Sequence, residues 1–195
     1  KYGDERRTQV VAQELNRLRD EDLVPDEQVV VTLTSANYIK RSTLNDYKKQ
    51  GRGGKGRRGM ATREEDVIEH VVNASTHDYL LFFTNKGRVF RIKAYEIPQA
   101  SLSAKGVAIV NILQLQPEET VSAVINYSSN ETSNEGNLIM CTVRGVIKKT
   151  PVDQYKNIRT SGLIAINLDE GDELKWIRHT TGNNEVVIST SEGQA

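Results

Sequence analysis

Three segments of the chain lie on one another with their turns in register: VVVTLTSANYIKRSTLNDY (29–47), YLLFFTNKGRVFRIKAYEI (79–97) and NLIMCTVRGVIKKTPVDQY (137–155). A fourth, EVVISTSEGQA, opens at Glu185 and stops within the motif. Repetition constrains the fold more than any local propensity does, because a unit of this size cannot bury its apolar face alone and must stack on copies of itself. Each unit reads as an apolar strand, a tight turn at Asn37, Gly87, Gly145 or Gly193, and a second strand bearing basic residues. The turns are 50, 58 and 48 residues apart. Asn and Gly can share the turn position because both accept positive φ at low cost.

The register continues past the hairpins. Tyr47, Ile97 and Tyr155 align, followed by Gly56, Gly106 and Gly162, two of which follow a lysine (Lys55 and Lys105). Next come VAIVNIL (107–113) and LIAINL (163–168), expected as strands, then an acid-containing turn and a further strand such as VSAVI or LKWI. The predicted architecture is all-β: four-stranded blades in a propeller-like ring or an array, with about three and a half blades present. Residues 1–28 are expected to be a connector, because the helical stripe of Val11, Leu15 and Leu18 is thin and Pro25 ends it, and residues 29–195 to be the repeat domain.

Total charge is uninformative, with 26 Lys and Arg against 26 Asp and Glu, but its distribution is not. Residues 29–63 hold nine basic side chains and one acid, Asp46. The excess peaks in YKKQGRGGKGRRGM (47–60), which has three lysines, three arginines, five glycines and no acid. Gly51, Gly53 and Gly56 satisfy G-x-G-x-x-G, yet no buried strand precedes them and no helix opens after them, so the match to a dinucleotide fingerprint is weak. A Walker A loop fails as well, since Gly56 follows Lys55 where a hydroxyl residue is needed for magnesium. What remains is recognition of a phosphate backbone: glycines let the main chain approach, and Lys48, Lys49, Arg52, Lys55, Arg57 and Arg58 supply charge. Tyr38 and Tyr47 are the only aromatic residues in the basic window, which favours duplex over stacked single strands. A solvated loop of incidental charge and an RGG-type RNA-binding segment are the competing readings.

Further cations recur after the turns: Lys40 and Arg41, then Arg88, Arg91 and Lys93, then Lys148 and Lys149, with Lys105 ahead of its glycine. Strand alternation forbids all of them from sharing a face, but those at equivalent places on a ring's border would form a curved basic track that bends DNA. No catalytic constellation accompanies them. His70, His77 and His179 lack metal-ligand spacing among themselves or with Cys141, and the acids Glu64, Glu65, Asp66, Asp169, Glu170, Asp172 and Glu173 read as solvated turns. The single cysteine, Cys141, cannot form an internal disulfide and reads as a strand residue, consistent with a reducing, cytosolic setting. No apolar run reaches membrane-spanning length, and KYGDERRTQ is too charged for a secretory signal.

QGRGGKG (50–56) resembles the glycine-rich box QRRGGKG that marks the C-terminal domain of DNA gyrase A. YGDERRT (2–8), DEDLVPDEQVVVTLTSANYIKR (20–41), STHDYLLFFTNKGRVFRIKAYEIP (75–98) and IRTSGLIAINLDEGDEL (158–174) are similar to the same family, so the resemblance spans nearly the whole chain. Gly51 departs from the box, standing where an arginine is usual. The resemblance implies a β-pinwheel, a propeller-like ring whose blades exchange strands, that wraps duplex DNA around its basic outer rim. It assigns the box role to Gln50, Arg52, Gly53, Gly54, Lys55 and Gly56, with Arg57 and Arg58 directly following. It further implies partnership with the rest of gyrase A, as a dimer, and with gyrase B, and a cytoplasmic, chromosome-associated location. The holoenzyme, an ATP-hydrolysing type II topoisomerase, uses ATP and Mg²⁺ elsewhere, so no cofactor and no catalytic residue are expected in this stretch. None of the chain's tyrosines corresponds to the DNA-cleaving one, which belongs to an earlier part of gyrase A. The corresponding domain of topoisomerase IV and a protein-interaction propeller are the alternatives.

Overall fold

The computed structural model describes residues 20–47, 66–128 and 135–193. Its eleven strands form three antiparallel sheets. The first contains β1 (Gln28–Thr34), β2 (Tyr38–Thr43), β3 (Ile68–Ser75) and β6 (Val107–Ala108), in the order β3-β1-β2-β6. The second contains β4 (Tyr79–Thr84), β5 (Arg88–Lys93), β7 (Val121–Tyr127) and β10 (Leu163–Ile164), in the order β7-β4-β5-β10. The third has β8 (Asn137–Thr142), β9 (Ile147–Pro151) and β11 (Leu174–Thr180), in the order β11-β8-β9.

The chain order shows an exchange. β6 lies between β5 and β7 in sequence, yet it closes the first blade by pairing Tyr38 with Ala108 and Ile39 with Val107. β10 closes the second blade in the same way, pairing Leu163 with Val89 and Ile164 with Arg88. Each unit thus lends a strand to its predecessor, which is the pinwheel arrangement.

Both faces of the central blade are apolar because it has a neighbour on each side. Leu80 and Phe82 of β4 pack with Val29, Val31 and Leu33 of the first blade. The alternate residues Leu81 and Phe83 pack with Leu138 and Met140 of the third. A strand buried on both faces loses the polar alternation of a half-exposed one and reads as the continuous run YLLFF. Inner strands β3, β7 and β11 lie beside one another, tied by Asn126 Nδ2 to the Asn73 carbonyl at 3.0 Å and by Ser122 Oγ to the Leu174 carbonyl at 2.7 Å. β6 and β10 are therefore the outer border.

All four expected turn residues have positive φ: Asn37 at 61°, Gly87 at 72°, Gly145 at 87° and Gly193 at 79°. A threonine three residues earlier fastens each of the first three turns. Thr34, Thr84 and Thr142 accept from the backbone N–H of Tyr38, Arg88 and Val146 through their hydroxyls. Cys141 lies within β8, as expected of a strand residue.

Three expectations change. VAIVNIL and LIAINL supply strands only at 107–108 and 163–164, because the exchange needs a single short pairing before the chain turns inward to bury Ile109, Leu113, Ala165 and Ile166. The fourth unit forms its turn at Thr190–Gly193 but no strand among the described residues. Asp66 and Asp172 are not solvated: both are buried. Among the described residues, no helix is long and apolar enough to cross a membrane.

Candidate nucleic-acid interface

The outer border is built from two exchange segments, 98–113 on the first blade and 156–168 on the second. Residues 100–106 and 156–162 are the in-register counterparts of the box at 50–56. Gly106 and Gly162 carry positive φ, 86° and 81°, and each lies flat against the blade it closes, on Ile39 and Phe90 respectively. On the first blade, Gln99 bridges Arg41 in parallel, and Ala100 donates its backbone N–H to the Arg41 carbonyl at 2.9 Å. On the second, Arg88 Nη2 donates to the Ser161 carbonyl at 2.6 Å.

The cations expected on this border divide into two sets. Lys40 faces inward and is 1% exposed. Its ammonium donates to the carbonyls of Ser101, Leu102 and Ala104 at 3.0, 2.6 and 2.9 Å, which uses all three of its protons. Burial lowers its pKa. Lys93 is also buried, donating to Glu21 Oε1 at 2.6 Å and to the His77 carbonyl at 2.8 Å beneath the Tyr79 ring. Arg88 pairs with the buried Glu119 at 2.7 Å and stacks on Phe90. These three, read from the sequence as rim candidates, hold the ring together instead: in a blade covered on both faces, half of any strand's side chains point into a neighbour. Arg41 is partly committed, with Nε on the Ile97 carbonyl at 3.1 Å.

A second set stays at the surface. Arg91 stacks on Tyr79 at 3.6 Å and Lys105 on Tyr38 at 3.5 Å, so each is oriented by an aromatic face that leaves its N–H donors available. Lys148 is exposed, with one donor on the Ala165 carbonyl at 2.6 Å, and Lys149 is exposed beside it. Arg159, absent from the sequence expectation, is exposed on the second exchange segment. Its place within the counterpart of the box, three residues before Gly162, is the signal that could have found it. Gln50, Arg52, Gly53, Gly54, Lys55, Gly56, Arg57, Arg58, Lys48 and Lys49 lie outside the described residues.

An acid two residues before each inner strand closes the hairpin it faces. Asp66 Oδ1 accepts from the Ala36 N–H at 3.0 Å and the Ser35 hydroxyl at 3.2 Å. Glu119 accepts from Thr84 Oγ1 at 2.7 Å, and Asp172 Oδ1 from the Arg144 N–H at 3.0 Å. Burial opposes the charge on Asp66 and Asp172, but backbone N–H groups, neighbouring threonine hydroxyls and nearby cations outweigh it and hold both carboxyls below their ordinary range. No group of three metal-ligating side chains forms among the described residues, and His70, His77 and His179 stand apart, on β3, in a turn and on β11.

The family described as DNA gyrase C-terminal domain, beta-propeller, matches residues 28–75, 78–128 and 136–180, one match per blade. The chain belongs to the DNA gyrase C-terminal domain family.

DNA gyrase A of Clostridium acetobutylicum is 51% identical over 195 residues, covering all of this chain and 23% of that protein. DNA gyrase A of Staphylococcus epidermidis is 45% identical over 191 residues, covering 98% and 21%. The chain thus spans less than a quarter of these curated relatives. Among solved structures, the C-terminal domain of DNA topoisomerase IV superposes with a TM-score of 0.67 at 29% identity over 82% of this chain and 47% of the other. The DNA gyrase A C-terminal domain superposes at 0.59 with 30% identity over 79% and 48%.

Proposed function

We propose that this domain binds duplex DNA by its phosphate backbone along the outer border of the ring and wraps it. In this reading it serves negative supercoiling by a gyrase whose ATP-consuming and DNA-cleaving parts lie elsewhere in the assembly. The rest of gyrase A and gyrase B are its partners, and the chromosome is where it acts. The observation that carries this is the position of segments 100–106 and 156–162: both in-register counterparts of the box run along the border, where Lys105 and Arg159 sit at the surface. Gln50, Arg52, Gly53, Gly54, Lys55 and Gly56, with Arg57, Arg58, Lys48 and Lys49, are proposed as the main DNA-contacting loop. Arg41, Arg91, Lys105, Lys148, Lys149 and Arg159 continue it along the border. Backbone likeness does not separate gyrase from topoisomerase IV; the relatives at 45% and 51% identity and the near-complete box favour gyrase.

The test is the salt dependence of affinity for a short duplex. Phosphate contacts release counterions, so log affinity should fall with log salt by about 0.9 for each phosphate neutralised. Replacing Lys149 or Arg159 with alanine should flatten that slope by about one phosphate each. A slope near zero contradicts the proposal and favours a protein-binding propeller.

A further inference from the structure

Residues 20–27, ahead of β1, are clasped to the junction of the first two blades. The turn at Ser75–Asp78 joins β3 of the first blade to β4 of the second, and the incoming segment is bound along it. Thr76, fully buried, donates its hydroxyl to the Pro25 carbonyl at 2.7 Å and accepts the Glu27 N–H at 3.1 Å. Its own N–H donates to the Glu27 carbonyl at 3.0 Å. His77 Nε2 meets the Val24 carbonyl at 2.8 Å, and Ser75 Oγ bonds to Asp26 Oδ1. Lys93, at the end of β5, reaches Glu21 Oε1 at 2.6 Å while its other donor holds the His77 carbonyl.

This is more than a solvated tether needs. A connector that only joined two bodies would leave its polar groups to water, whereas here a buried ammonium and a buried hydroxyl are committed to it. The attachment also straddles two blades, so it fixes a direction relative to the ring as a whole and not to one hairpin. We infer that the Asp20–Glu27 strap is a latch that sets the pose of the ring on the chain preceding it, with Lys93 and Thr76 as positioning residues. It rests on the wrapping function proposed above: DNA coiled on the border is delivered to the upstream part at a fixed angle only while the strap is closed. Opening the strap should leave wrapping intact and uncouple it from supercoiling.

The experiment uses full-length gyrase A, reconstituted as the holoenzyme, with Glu21→Lys, the conservative Glu21→Gln, and Thr76→Val. Glu21→Lys should raise hydrogen exchange at the Glu27 amide by about tenfold. Nucleotide-free wrapping, read as topoisomer shift, should stay at the parent level while ATP-driven supercoiling falls by about fivefold or more. Glu21→Gln, which keeps an acceptor for the Lys93 ammonium, should hold both near the parent level, and Thr76→Val, which keeps the shape and removes both side-chain bonds, should reproduce the loss. Supercoiling at the parent rate in Glu21→Lys and Thr76→Val, with the Glu27 amide exchanging faster, overturns the latch. A parent protein that does not wrap DNA overturns the underlying reading instead.

Discussion

A Cβ placed on Gly106 would stand 2.4 Å from the carbonyl oxygen of Ile39. The two residues belong to different units of the repeat, and their contact is where one blade receives its strand from the next. Gly106 also has a φ of 86°, so alanine there meets both a backbone atom and a disfavoured conformation. Gly145 has almost the same φ, 87°, with open space around it. Alanine at Gly145 should therefore cost only the conformational term, about 1 kcal/mol, and at Gly106 at least about 2 kcal/mol more. Urea titration of the two variants measures the difference. Equal midpoints would show that the exchanged strand does not depend on this approach.

Lys40 should behave as a structural residue and not as a DNA ligand. Methionine keeps the length of the side chain but leaves the carbonyls of Leu102 and Ala104 without their donor, and that of Ser101 with only the Ala104 N–H. A buried carbonyl so orphaned costs about 1–3 kcal/mol, and these are half-buried, so Lys40→Met should lower stability by about 2 kcal/mol in total. The salt slope of duplex binding, measured where the variant remains folded, should be unchanged. A slope reduced by a whole phosphate at undiminished stability would return Lys40 to the interface.

The buried carboxylates predict a direction for acid unfolding. Asp66 and Asp172 have folded-state pKa values below the ordinary 3.8, so the unfolded chain binds protons more readily and stability falls with pH in that range. The stabilisation is fully present above the unfolded value and is lost as pH drops through the folded one. Asp66→Asn and Asp172→Asn should lower the melting temperature near pH 6 and flatten its decline as pH falls below about 4. Melting curves parallel to the parent's across that range would rule out the carboxylates as the source.

These contacts also mark where the sequence is transparent. The turns at Asn37, Gly87, Gly145 and Gly193 are readable because positive φ restricts the residue type, and the repeat confirms the register. The blade architecture follows from them. What escapes is facing. Ile39, Lys40 and Arg41 alternate across β2, but period-two reasoning assigns a core side only when the other side is solvent, and a propeller blade has a neighbour on each. The acids escape for a different reason: a carboxylate in a turn looks solvated until the hairpin it reaches is known. The repeat did carry the clue, since Thr34, Thr84, Thr142 and Thr190 recur three residues before each turn, and Asp66, Glu119 and Asp172 recur two residues before the inner strands. The short pairings of β6 and β10 escape because the strand pattern of VAIVNIL and LIAINL serves two elements at once, an exchange and an inward turn.

The central claim is that the border of this ring coils duplex DNA through the box and the cations in register with it. Its most direct test is the linking number of a nicked circle sealed by ligase in the presence of the protein without nucleotide. Topoisomers should shift in proportion to protein bound, and Arg52→Ala, Lys55→Ala, Arg57→Ala and Arg58→Ala together should abolish the shift while the urea midpoint stays at the parent value. A linking-number distribution that the parent leaves unaltered, or a fourfold variant that shifts it as the parent does, would contradict the account.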